Sequence, residues 1–416
     1  MFPRSILLLA CGAIALGGCG GKVGVPGQGD EGGGGGEPGT TSTGSASGGA
    51  GPTSGSGATG GSTGGTGGSV CKPELSECKE DFECCSGDCL YGQKCAPPLC
   101  REAGEPCKEP VDCCSQVCDN GVCAVEDGTC KPGVGPVAFA VHLDAPGTIA
   151  VDSEAVYFSD TTGGTLSRRS FTSGPVEVLA ENGSIITAIV PLDQHVFWTQ
   201  DTGVNNGGGL HRTSKLTGQT ELWMSGPARG LAAGKQDVYA VVDTVLYRFP
   251  LAGGAPESLV SGLQTLTLSI DDSHLYWTDH EKGELWRLPL PNGAPELLAD
   301  GLKEPVRAVT NGSTVAWADW STFRIQRFEL PNGPVENVVT LMGMPRGPVW
   351  SLSDGALYFA HVGGDNTGAI WKLPKGADDL QVVATEVTPY TVDLKLSETC
   401  VYFTDVDNHS VKRVAR

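Results

Sequence analysis

Six-residue runs dominated by apolar and aromatic side chains return along the C-terminal two-thirds of the chain: AVYFSD (155–160), HVFWTQ (195–200), DVYAVV (237–242), HLYWTD (274–279), TVAWAD (314–319), ALYFAH (356–361) and CVYFTD (400–405). A run of small apolar residues precedes each, such as Thr148-Ile149-Ala150-Val151. A Gly/Asn/Asp turn follows each, then a segment such as Glu284-Leu285-Trp286-Arg287-Leu288; outer runs such as PVEVLAEN or APELLADG complete the unit. Apolar and polar positions alternating between turn residues predict short antiparallel strands. No stretch between 137 and 416 sustains a helical period, so no helix is expected there. Four short strands repeated about every 40 residues are the pattern of β-propeller blades. Seven copies predict seven blades.

The seventh copy reaches Arg416 directly after its third strand, while the first is preceded by PVAFAVHL (136–143), an outer strand without a blade. Pairing that strand with the last copy would close the ring and remove a free sheet edge. The expected fold is therefore all-β, a seven-bladed propeller over 136–416 closed by an N-terminal strand. Closure would bring the segment before Pro136 to the second strand of the last blade, where Cys400 begins the run. Cys130 and Cys400 are accordingly expected to form a disulfide.

Upstream the pattern changes twice. Residues 1–18 carry Arg4 and then an apolar stretch too short to span a bilayer, as in a cleaved leader. Residues 19–70 are mostly Gly, Ser, Thr and Pro; such a segment cannot offset its ordering entropy and should behave as a disordered linker. As a Gly-rich coil its root-mean-square reach is roughly 40 Å. Two cysteine-dense segments follow, at 71–95 and 100–130.

Of sixteen cysteines, Cys11 lies in the leader and Cys19 at its end, which leaves an even fourteen. Cys71, Cys78, Cys84, Cys85, Cys89 and Cys95 set a spacing that Cys100, Cys107, Cys113, Cys114, Cys118 and Cys123 repeat with only the last gap changed. Two copies of one framework behind a leader indicate disulfide modules more than zinc sites, and no histidine lies between 71 and 130. From the spacing alone, six cysteines allow 15 pairings.

Three resemblances attach to these residues. Leu16-Gly17-Gly18-Cys19 resembles the lipobox of bacterial lipoproteins, which implies lipidation of Cys19 and, with Gly20 following, an outer-membrane address. The repeated six-cysteine spacing resembles inhibitor cystine-knot modules. That resemblance implies Cys71–Cys85, Cys78–Cys89 and Cys84–Cys95 in the first copy, and Cys100–Cys114, Cys107–Cys118 and Cys113–Cys123 in the second. Tyr276-Trp277-Thr278-Asp279 is similar to the YWTD propeller repeat of the low-density lipoprotein receptor class, with Tyr157-Phe158-Ser159-Asp160 and Tyr402-Phe403-Thr404-Asp405 as variants. It implies that Asp160, Asp279, Asp319 and Asp405 brace their blades, while Gln200, Val242 and His361 weaken that brace elsewhere. The receptor class has six blades, so none of its ligand-binding residues carries over.

A net charge of −20 excludes a nucleic-acid partner and electrostatic adsorption to anionic lipid. Membrane attachment is expected through the lipid anchor alone. No catalytic serine elbow or phosphate loop is present, and the histidines show no metal-ligand spacing, so no cofactor, metal or catalytic residue is expected. Binding is placed instead on the face formed by the approaches to the inner strands and the turns after the second strands. There Arg229, Arg307 and Arg346, each near a proline, would converge on an anion, beside Tyr390 and Trp320. The long turns with Asn205, Asn206, Asp365 and Asn366 would flank them. The competing reading has each arginine bonding groups of its own blade boundary. The function expected is a lipid-anchored, non-enzymatic cell-envelope binding protein for a protein, peptide or glycan. The alternatives are a hydrolase or lyase at the channel mouth and a structural envelope protein.

Overall fold

The computed structural model describes the backbone of Cys89–Leu90 and Lys94–Cys95, most of residues 101–131, and the run to 416 apart from 173–174, 182–184, 202–207, 352, 363–367, 389–390 and 392. Every element assigned among these residues is a β-strand. Seven four-stranded antiparallel sheets follow one another, and in the first six each strand pairs with its sequence neighbour. In the fourth, Ser269–Ile270, His274–Asp279, Glu284–Pro289 and Glu296–Ala299 pair in that order. The seventh consists of Leu394–Leu396, Cys400–Asp405, Ser410–Ala415 and, from the other end of the head, Val137–Ala140. The chain is a seven-bladed β-propeller closed by an N-terminal strand.

The physical reason for the six-residue apolar runs is visible in burial. The second strands Ala155–Asp160, Asp237–Val242 and Cys400–Asp405 are buried along their whole length, because both faces of each sheet pack on neighbouring blades. Tyr157, Tyr239, Tyr276, Tyr358 and Tyr402 take one face; Phe158, Trp198, Trp317, Phe359 and Phe403 take the other. Outer strands such as Thr220–Ser225 hold only exposed and half-buried positions, since they lie at the rim of the wheel. Third and fourth strands are also tied by a repeated ion pair nine residues apart. Arg168–Glu177, Arg212–Glu221, Arg248–Glu257, Arg287–Glu296 and Arg327–Glu336 lie 2.6 to 3.3 Å apart in the first five blades. These pairs are solvent-accessible, so each contributes little energy and serves mainly to hold register.

Closure is built from several contacts. Val411, Lys412 and Arg413 pair with Ala140, Ala138 and Val137. The Leu143 amide donates to the His409 carbonyl at 3.1 Å. Phe139 meets Tyr402 edge-on at 5.1 Å, and Arg413 lies over the Phe139 ring. Cys130 and Cys400 are bonded, with 5.3 Å between their Cα atoms, and both sulfurs belong to the core formed by Phe139, Tyr402 and Val156. The segment just upstream runs tightly over the first blade: at Gly128 (φ 75°) a Cβ would fall 2.9 Å from the Phe171 Cβ.

Ahead of the ring, Cys107–Cys118 and Cys113–Cys123 are bonded. Cys118–Asp119 pairs with Val122–Cys123, and Cys89–Leu90 pairs with Lys94–Cys95 in the matching place of the first copy, so one hairpin joins the last two cysteines of each module. The remaining inferred pairs (Cys71–Cys85, Cys78–Cys89, Cys84–Cys95 and Cys100–Cys114) lie outside the described residues, as do Cys19 and the linker. Disulfides of this density place the chain in an oxidising, non-cytoplasmic compartment.

Candidate functional site

The turns after the second strands and the approaches to the inner strands lie at one end of the wheel. Aspartates that end the second strands join these two sets. Asp160 accepts from the Ala145 and Thr162 amides, both at 3.1 Å. Asp319 accepts from the Lys303 and Thr322 amides, also at 3.1 Å. Asp405, with no exposed surface, accepts from the Thr388 hydroxyl at 2.6 Å and the Asn408 side-chain amide at 2.7 Å, and pairs with Lys412 at 2.8 Å. Asp279 accepts from the Lys282 amide at 3.0 Å. Where His361 replaces the aspartate, its Nδ1 accepts from the Trp371 indole at 2.9 Å.

The inner strands of five blades carry a register shift near their start, beside Gly147, Thr187, Gly230, Arg307 and Gly347. Pairing places Arg229 opposite Val241, Val306 opposite Ala318 and Arg346 opposite Ala360. Arg229 and Arg346 are therefore equivalent, while Arg307 stands one residue further on, where the third and sixth blades have glycine. Its φ of 56° matches 54° at Gly230 and 47° at Gly347. A β-carbon in that left-handed conformation costs on the order of 1 kcal/mol.

The three arginines go to different places. Arg229 forms a close ion pair with buried Asp201 at the boundary of the second and third blades. Arg307, from the fifth blade, reaches past the sixth to Asp393 of the seventh, with Nη1 donating to Oδ1 at 3.0 Å. Gly347 leaves that path open, since a Cβ there would sit 3.4 Å from the same oxygen. Arg346 stands close enough to Arg307 to feel its charge and pairs with no carboxylate among the described residues. Its Nε is buried without a hydrogen-bond partner. Burial first, and Arg307 second, push the Arg346 pKa below the ordinary guanidinium value.

Asp393 is the hub of this end. It is 2 % exposed, and Lys395 donates to both of its oxygens at 3.0 and 3.1 Å. The Thr148 hydroxyl (3.3 Å) and Ile149 amide (3.4 Å) reach it from the first blade. Burial pushes its pKa up, but Lys395 and Arg307 outweigh that and hold the carboxyl below the usual range. Two cations, Arg307 and Lys395, thus hold one carboxylate, and Arg346 stands beside Arg307. The cluster carries a surplus of positive charge inside a chain of net charge −20.

Trp320 packs half-buried beside Val306, Ala318 and Ile325, with its indole nitrogen enclosed, and so contributes to the core. Tyr390, Asn205, Asn206, Asp365 and Asn366 lie outside the described residues. In the sequence Asp393 is the acidic exception among the inner runs. The sequence pattern misses Lys395, although the Asp-Leu-Lys spacing puts both on one face of a strand.

No known family matches the chain by sequence, and no curated protein does. Among solved structures it is similar to a streptogramin B lyase (13 % identity, TM-score 0.55), over 67 % of this chain and 96 % of that one. It is also similar to a chain of a mitotic checkpoint complex (12 %, TM-score 0.54), over 72 % and 98 % of the two chains. The extracellular domain of a one component system from B. thetaiotaomicron (11 %, TM-score 0.52) matches over 67 % of this chain and 39 % of that one. At such identities the likeness shows the propeller fold alone, and the neighbours span enzymatic and other proteins.

Proposed function

We propose that the chain is a lipid-anchored, non-enzymatic binding protein of the outer membrane, whose propeller face engages a protein, peptide or glycan. The observation that carries this reading is the surplus of guanidinium and ammonium groups around Asp393 at the channel mouth. Asp393 faces cations and two donors of the first blade, an arrangement that holds charge in place and gives a binding head more than it gives an acid–base pair. The lipobox-like Leu16-Gly17-Gly18-Cys19, the Gly/Ser/Thr tether and the disulfide modules supply an anchor, a leash and a stalk.

A pull-down from cell-envelope extract tests the head, with residues 71–416 as bait. A companion bait has the turns 201–209 and 361–368 shortened to two-residue hairpins. The intact bait should retain a partner that the shortened one loses; equal recovery by both ends the reading. The anchor is tested separately, by metabolic labelling with palmitate in a bacterial host. The intact chain should incorporate label and Cys19→Ala should not. Label persisting in Cys19→Ala, or missing from the intact chain, removes the lipid from the proposal.

A further inference from the structure

We infer that the Arg307–Arg346 pair is a seat for a carboxylate, presented by an acidic segment of a peptide or protein ligand. The inference rests on the binding reading above and narrows its ligand class. Three observations meet at this place. Two guanidiniums rise from the inner strands Pro305–Thr310 and Pro345–Trp350 of neighbouring blades, which pack on one another, and only Arg307 has an acidic partner among the described residues. The Arg346 Nε is buried with its donor unused. Arg307 keeps a positive φ at a position where two other blades have glycine, so the chain bears backbone strain to hold a guanidinium there.

Each of these is a cost to the folded state; Asp393 offsets the strain at Arg307, but no contact within the described residues offsets the enclosed Arg346 donor or the closeness of the two cations. A half-buried cation beside another cation opposes folding, and a donor enclosed without a partner loses its hydration. An arriving carboxylate would accept from both forks in the bidentate geometry that arginine favours. It would also neutralise the positive surplus that Asp393 leaves. Lys395 cannot do the same work, because its three bonds already go to Asp393 and the Leu394 carbonyl. The rest of the chain repels an acidic ligand, so such a ligand would be drawn to this one mouth of opposite sign.

The test is thermal unfolding and calorimetric titration of the full mature chain at fixed ionic strength. A tri-glutamate peptide is the probe, with a tri-glutamine analogue and a trimer of galacturonate as the other arms. Tri-glutamate should raise the midpoint of the intact chain, as any ligand of the native state does, and tri-glutamine should not. Arg346→Gln should weaken the tri-glutamate affinity about tenfold or more, the size of a lost charge-assisted hydrogen bond. Without ligand, Arg346→Gln should unfold at the same temperature as the intact chain or higher, because it removes an uncompensated charge. Arg307→Gly keeps the backbone conformation of the equivalent blades and should weaken the affinity as well. Equal affinity in Arg346→Gln, no response of the intact chain to tri-glutamate, or a response to galacturonate alone would each overturn the inference. A partner captured equally well by Arg346→Gln would leave the binding head standing and remove the seat.

Discussion

Asp393→Ala is expected to destabilise the propeller by about 3–5 kcal/mol, the usual cost of removing one partner from a buried ion pair. The carboxylate neutralises Arg307 and Lys395 at 3.0 Å and accepts from Thr148 and Ile149 across the ring. Without it Arg307 and Lys395 lose their counter-charge, and inner strands of the first, fifth and seventh blades lose a common tie. For a head of this size the midpoint should fall by roughly 10 °C. Calorimetry of Asp393→Ala beside Asp393→Asn separates charge from shape, since the amide keeps the acceptor at one oxygen. Adding Arg346→Gln should recover more stability in the Asp393→Ala background than in the intact chain, because the two residues act on one electrostatic cluster. A loss below about 1 kcal/mol in Asp393→Ala would show that water takes the carboxylate's place.

The same residue gives a pH dependence. The Asp393 pKa is lowered in the folded state, so the ionised carboxylate stabilises the fold above its unfolded value of about 3.9. That stability is lost as pH falls through the lower folded value. Acid unfolding of the intact chain should therefore contain a component below about pH 4 that is missing from Asp393→Asn.

The wheel was legible because its second strands are buried on both faces. That demand produces apolar-aromatic runs of six, and these mark each repeat even where other strands are degenerate. The closing strand was legible for a related reason: PVAFAVHL had an outer strand's pattern and no sheet to join. What the sequence hides is what depends on register. Pro305-Val306-Arg307 reads like Pro227-Ala228-Arg229 with the same spacing, yet strand pairing is offset by one residue, which puts Arg307 at the glycine position and sends it two blades away. Arg229 and Arg307 are also paired with aspartates 28 and 86 residues distant, separations that only the ring brings together. The inner run Thr265-Leu266-Thr267-Leu268 suggested a full strand, whereas pairing covers only Ser269–Ile270. There the Thr265 hydroxyl bonds the Thr267 carbonyl at 2.9 Å, a local alternative to the ladder. By contrast, the arginine–glutamate pairs nine residues apart were present in the sequence as a repeat and needed only to be counted.

Cys130→Ser with Cys400→Ser is expected to cost the closed ring a few kcal/mol, with about 5 as the upper bound of the chain-entropy account for so long a loop. The two cysteines are 270 positions apart, so the bond constrains almost the entire head in the unfolded state. It also acts locally. The closing strand is only four residues long, Val137–Ala140, and pairs with the last blade at three positions. Cys130 anchors the chain just before that strand, where its amide donates to the Thr399 hydroxyl at 3.3 Å and its sulfur lies in the Phe139–Tyr402 core. Without the bond, the strand should open more often than the rest of the ring, because four residues, the contacts of the Phe139 ring and the Leu143–His409 bond must hold it. Hydrogen exchange should then rise first at Val137–Ala140 and its partner Ser410–Ala415, ahead of the inner blades. Global unfolding should follow at a lower temperature, since opening exposes both edges of the seventh sheet. If exchange at those two strands is unchanged and the midpoint shifts by less than about 2 °C, closure rests on strand pairing and the aromatic core, and the disulfide is only a bystander to it.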